Sequence, residues 1–194
     1  NYICINDSEM ENHEMNKSQW RIAGTEGMKR GLISAAYMFA TLLLEKTGMP
    51  VLLNSLLSFV LWVAKFAGCI LLMKIAMVKF AKTDSQITNR DTFMMGMATA
   101  LLSAFVFSVI SYVNVAFISA DLFAEQFDTL MQQMAPMMDS NSLNLMDRYL
   151  ENLPEITFFS NLIYCFLFGT VLSAILSRNI PARDPFADYK PDEQ

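Results

Sequence analysis

Apolar residues gather into four long runs, separated by two short polar breaks and one long acidic stretch. The clearest run is Thr92–Ala120, TFMMGMATALLSAFVFSVISYVNVAFISA, which holds no Asp, Glu, Lys, Arg or His. It exceeds the ~20 apolar residues that cross a bilayer core of about 30 Å. Small residues recur along it at every fourth position: Gly96, Ala100, Ala104 and Ser108. At helical period these four share one face, and such a face lets a second helix approach closely. The pattern predicts an integral membrane protein.

The other runs extend this reading. Gly31–Leu44 is preceded by Lys29 and Arg30 and closed by Glu45-Lys46. It lengthens to a first span over about 24–45 if both basic side chains snorkel to the headgroups. No small-x-small cleavage site follows it, so it reads as a signal anchor. Gly27 and Gly31 again lie four apart. Gly48 and Pro50 mark a turn. The second span follows over about 51–73, its helix projecting further as KIAMVKFAK, with Ala64 and Gly68 as a small-residue contact point. DSQITNRD is a polar loop, with Asp91 or Thr92 expected to cap the next helix. The third span is about 92–120 and the fourth about 156–177, where Gly169, Ser173 and Ser177 repeat the four-residue theme.

Between the last two spans lies 121–155, where Asp121, Glu125, Asp128, Asp139, Asp147, Glu151 and Glu155 face a single base, Arg148. Phe123, Phe127, Leu130, Met131, Met134 and Met138 fall at three- and four-residue steps, as do Leu143, Met146, Tyr149, Leu150 and Leu153. These predict two amphipathic helices, the first over 122–138 and the second stopped by Pro154, lying on the membrane face or on the bundle. Residues 1–21 are polar and expected to be disordered, with Met10 and Met15 as candidate starts. Residues 181–194 are a proline-containing tail. The expected fold is an all-α membrane protein of four transmembrane helices with an amphipathic insert.

Of the 194 residues, 54% are hydrophobic and 17% charged, against about 25% charged in soluble domains. Basic residues flank the apolar runs, and the net charge is −5, which argues against nucleic acid as a partner. Lys17, Arg21, Lys29 and Arg30 precede the first span; Lys74, Lys79, Lys82 and Arg90 separate the second from the third; Arg178, Arg183 and Lys190 follow the fourth. The other side holds Lys46 and Arg148. The asymmetry predicts cytoplasmic termini and an extracytoplasmic 121–155 segment in a bacterial inner membrane. Cys4, Cys69 and Cys165 show no disulfide or zinc spacing, and His13 is the only histidine. No catalytic residue, cofactor site or metal site is expected.

The order of features is similar to a known family. Its marks are the entry into the first helix, the lysine-rich end of the second, VNVAFISADLFAEQ after the small-residue stripe, and Gly169–Asn179 (GTVLSAILSRN) at the close. Over roughly 22–180 the chain resembles the Bacteroidetes membrane family catalogued as domain of unknown function 4199. That resemblance carries no activity. Its members stand beside envelope glycosyltransferases in gene order, which implies an accessory role.

Few residues are candidates for chemistry. Lys65 is the one charge well inside a span, and such residues often mark a functional path. Snorkelling is the reading taken; an interior role would have Tyr37, Ser103 or Ser108 as partners. Met131, Met134, Met137 and Met138 suit Cu(I) as thioethers, but they equally complete an apolar packing face, which is preferred. Asp121, Glu125 and Asp128 share a helix face that reads as solvated. Asn114, Asn161 and Tyr164 are taken as structural hydrogen-bonding groups. The expected function is a non-enzymatic accessory or assembly partner in the envelope, contacting lipid and another inner-membrane protein or its own copies. The alternative is a small oligomeric transporter or channel.

Overall fold

The computed structural model describes residues 17–45, 50–82, 87–134 and 139–180, and these are helical with no strand. The expectations on the N-terminal segment up to residue 16, the Gly48 turn, Pro136, Met137, Met138 and the 181–194 tail fall outside the described residues. The elements are α1 (Lys17–Glu45), α2 (Val51–Ala81), α3 (Asn89–Val113), a π-helical turn (Asn114–Ile118), α4 (Ala120–Met134), α5 (Ser140–Glu151) and α6 (Leu153–Asn179).

Three helical stretches are long and apolar enough to cross a membrane: Leu52–Ala81, Asn89–Ile118 and Leu153–Asn179. At 1.5 Å per residue the 31-residue α2 measures about 46 Å, longer than a bilayer core. Helix α1 has the length, at 29 residues, but carries Arg21, Glu26, Lys29 and Arg30 in its first half.

Helix α3 is the centre of the bundle. The reason is its run of small side chains, and two other helices press on it from different sides. On one side, Gly96 meets Ser173 and Gly169 meets Ala100, so α6 runs antiparallel to α3. On another, Gly27 meets Thr99 and Leu102 while Gly31 meets Ser103 and Val106, so α1 runs parallel to α3. Further along, the Ser111 hydroxyl donates to the Met38 thioether at 3.4 Å. The Ser173 hydroxyl donates to the Phe93 carbonyl at 3.0 Å, tying α6 to α3 beside Gly96. Ala104 and Ser108 are buried beside this contact line, and the Ser108 hydroxyl finds no hydrogen-bond partner among the described residues.

The core lies toward the α2–α3 junction. Met73, Ala76, Met77 and Phe80 of α2 pack with Met95 and Ala100 of α3, Leu172 and Leu176 of α6, and Ile180. The other half of α2 is barely covered: Leu52, Leu56, Phe59, Val60 and Val63 are exposed. The expected small-residue contact on α2 does not form. Ala64 is exposed and no described residue lies within 4 Å of a Cβ built at Gly68, because α2 meets the bundle through long side chains such as Met73, Met77 and Phe80.

Local signals explain the boundaries. Helix α3 is capped by Thr88, not by Asp91 or Thr92 as expected. Thr88 and Asp91 form a capping box in which each side chain accepts from the other's backbone N–H, at 3.3 and 2.9 Å. Pro154 opens α6 rather than ending α5, at a position where its missing N–H costs nothing. The two amphipathic helices exist; α4 buries no residue fully, Phe123, Phe127, Met131, Leu143, Met146 and Leu150 are half-buried, and Leu130, Met134 and Tyr149 stay exposed.

Candidate functional site

Four helices each turn one face toward a shared space. From α1 come Arg30 and Ser34; from α2, Trp62, Lys65, Phe66 and Cys69; from α3, Ala100, Ser103, Ala104 and Phe107; from α6, Tyr164, Cys165, Phe168 and Gly169. Within each helix these positions follow three- and four-residue steps, as one helical face must. They line a cavity of about 130 Å³. The small residues of the α3–α6 contact form its floor. Trp62 and Tyr164, both largely exposed, stand at its rim with Phe66. Rings stack along the rim: Phe59 on Trp62 at 6.2 Å, Trp62 on Phe66 at 5.9 Å, and Tyr164 on Phe168 at 6.5 Å.

Two cations enter this space. Lys65 is half-buried on α2 and its ammonium reaches α1 and α3. Its Nζ lies 4.8 Å from the Tyr37 ring centroid and 5.3 Å from that of Phe107, over both faces. The quadrupole of each ring supplies partial negative charge to the ammonium. Tyr37 is thus brought to Lys65 through its ring; Ser103 lines the same cavity, while Ser108 lies away from it.

Arg30 departs from expectation. Instead of snorkelling outward, it is only 8% exposed. Its Nη1 donates to the Met73 thioether, a weak acceptor. Its Nη2 donates to the Cys69 carbonyl at 3.2 Å. Residues 27, 30, 31 and 34 share one helix face, and Gly27 and Gly31 are seated on α3. The glycines therefore turn Arg30 inward. Glu26, one turn away, is engaged by Lys29 at 3.2 Å and Lys79 at 3.9 Å. Among the described residues no acid lines the cavity, although Glu26 stays within electrostatic reach of the Arg30 guanidinium.

Other candidates stand apart from this cavity. Asn114 is buried in the π-helical turn, where its side-chain oxygen accepts from the Ser119 hydroxyl at 3.1 Å and its carbonyl accepts from the Ser119 N–H at 2.8 Å. Asn161 is half-buried on α6. Met131 is half-buried and Met134 exposed on α4, and Asp121, Glu125 and Asp128 are exposed on the same helix. Among the described residues no group of three His, Cys, Asp or Glu side chains is arranged to hold a metal ion. At the start of α5 the Ser142 hydroxyl first, and then the Ser142 N–H at 3.0 Å, favour the Asp139 carboxylate and hold its pKa below the ordinary value.

Residues 27–178 match the model of the family described as Protein of unknown function (DUF4199). The chain belongs to this family. The matched region runs from the first glycine seated on α3 to the end of α6, so it contains every residue that lines the cavity. The VNVAFI segment of that region is the π-helical turn together with its preceding valine. No curated protein and no solved structure matches the chain.

Proposed function

We propose that this chain is a four-span protein of the bacterial inner membrane that serves as a non-enzymatic accessory or assembly partner of another envelope component. The spans are α1, α2, α3 with its π-helical turn, and α6; both termini are cytoplasmic and the α4–α5 insert is extracytoplasmic. Directions support the fourth span. Helix α1 packs along α3 in the same direction and against α2 in the opposite one, the alternation that a first span before α2 and α3 requires.

The outer face of α2 carries the functional reading. Leu52, Leu56, Phe59, Val60 and Val63 form a continuous exposed apolar surface bordered by stacked rings, on the helix least held by its own bundle. Trp usually marks the membrane interface, but Trp62 falls near the middle of the second span, where a second protein surface suits it. A photoreactive phenylalanine analogue at position 59, activated in native membranes, is expected to give one protein adduct of defined mass. Lipid adducts alone would contradict the reading.

The cavity favours a second reading, a small transporter or channel, because Arg30, Lys65, Ser34 and Ser103 place polar groups among the spans. Solute flux into liposomes holding only the purified protein would select it over the first.

A further inference from the structure

We propose that the cavity between α1, α2, α3 and α6 binds an anionic phosphate group, with Arg30 and Lys65 as its charged ligands. The inference rests on the membrane-spanning reading but on neither choice between partner and transporter.

Charge balance is the first support. Arg30 is 8% exposed and spends its donors on a thioether and a backbone carbonyl. Lys65 rests on two ring faces. Two positive charges thus share one cleft, and among the described residues no acid lines it; Glu26, one turn from Arg30 on α1, lies within electrostatic reach of the guanidinium but is engaged by Lys29 and Lys79. A charge taken out of water needs a counter-charge or a full set of hydrogen bonds. A guanidinium presents a planar fork suited to phosphate, and an ammonium adds a point charge. The hydroxyls of Ser34 and Ser103 line the same wall and can donate to further oxygens.

Size and access are the second support. A volume of about 130 Å³ holds several water-sized groups, enough for a phosphate. The mouth is framed by Trp62, Phe66, Tyr164 and Phe168, and beyond it the exposed apolar surfaces of α2 and α6 continue. A phosphate carried by a lipid would place its head on the cations and its chains along those surfaces. A free phosphate would use the head site alone.

The test uses the full chain in maltoside micelles with Trp20→Phe, leaving Trp62 as the only tryptophan and a reporter at the cavity mouth. Dodecyl phosphate and inorganic phosphate are titrated separately, and emission is followed. A saturable change with dodecyl phosphate only, weakened at least tenfold by Lys65→Met and unaltered by Lys82→Met, supports a lipid phosphate. The same pattern with inorganic phosphate supports a free anion. Arg30→Lys, which keeps the charge but loses the fork, is expected to weaken binding less than Arg30→Gln. The proposal is overturned if neither probe saturates, or if Lys65→Met binds as tightly as the parent. Carbonate extraction of the same variants from membranes reports on the membrane reading separately.

Discussion

Replacing Gly169 by alanine puts a Cβ 2.5 Å from the Ala100 Cβ and 3.5 Å from its Cα. Carbon atoms settle at about 3.5–4.0 Å, so α3 and α6 must part locally by more than 1 Å. Overpacking of this kind costs about 1–3 kcal/mol. Alanine also gains about 0.8–1.0 kcal/mol of helix propensity over glycine, and that gain would hide part of the loss. Gly68→Ala removes the ambiguity. It lies mid-helix in α2 with nothing within 4 Å of its added Cβ, so it receives the propensity gain without the clash. The difference between the two variants is therefore the clash itself, about 1–3 kcal/mol. Gly96→Leu should be worse than either. Its added atoms meet Ser173 and the Met77 thioether, and they displace the Ser173 hydroxyl from the Phe93 carbonyl. Unfolding by dodecyl sulfate in mixed micelles, followed by tryptophan fluorescence, measures all three. If Gly169→Ala and Gly68→Ala agree within about 0.5 kcal/mol, the ordinary scatter of benign substitutions, the close α3–α6 contact is wrong.

Three smaller effects follow from local geometry. Thr88→Ala removes the capping box of α3 and should cost about 1 kcal/mol in the same unfolding assay. Ser108→Ala deletes a fully buried hydroxyl with no partner among the described residues and should be neutral or stabilising by about 1 kcal/mol, whereas Ser173→Ala should destabilise. The Asp139 carboxylate titrates below its ordinary 3.8 because the Ser142 hydroxyl, and with it the Ser142 N–H, favours the charged form. A lowered acid pKa adds stability above the unfolded value and loses it as pH falls through the folded one. The start of α5 should therefore fray only at pH below 3.8, with the Ser142 amide resonance titrating there and Asp139→Asn abolishing the transition.

The apolar runs were plain in the sequence because a helix that meets lipid cannot hide its composition. The four-residue repeat of Gly96, Ala100, Ala104 and Ser108 marked a face, and Gly169, Ser173 and Ser177 carried the same spacing on another run. The first cavity cation, Lys65, stood out as a charge inside a span. Arg30 did not, because a basic pair at the edge of an apolar run ordinarily marks headgroup level. Its clue was the shared face with Gly27 and Gly31: glycines that draw α1 onto α3 carry the intervening Arg30 inward with them. Trp62, Phe66 and Phe168 read as apolar surface, since composition does not say that a ring borders a void. Thr88 has the T-x-x-D spacing of a capping box, but it stands inside the polar DSQITNRD stretch, where no apolar periodicity marks the start of α3. The π-helical turn at Asn114–Ile118 left no mark in the periodicity, as one widened turn shifts the phase by a single residue.

The bundle stands or falls on whether the small-residue faces of α3 and α6 meet within one chain. A Cβ at Gly96 lies 3.0 Å from the Ser173 Cβ, and a disulfide holds two Cβ atoms at about 3.5–4.5 Å, so a slight parting allows the bond. Gly96→Cys with Ser173→Cys, in a chain whose Cys4, Cys69 and Cys165 are serine, is oxidised in native membranes and run on a non-reducing gel. An intramolecular disulfide in monomeric protein, formed in neither single variant, is the expected result. Dimers linked through these positions, or free thiols in inserted protein, would contradict it.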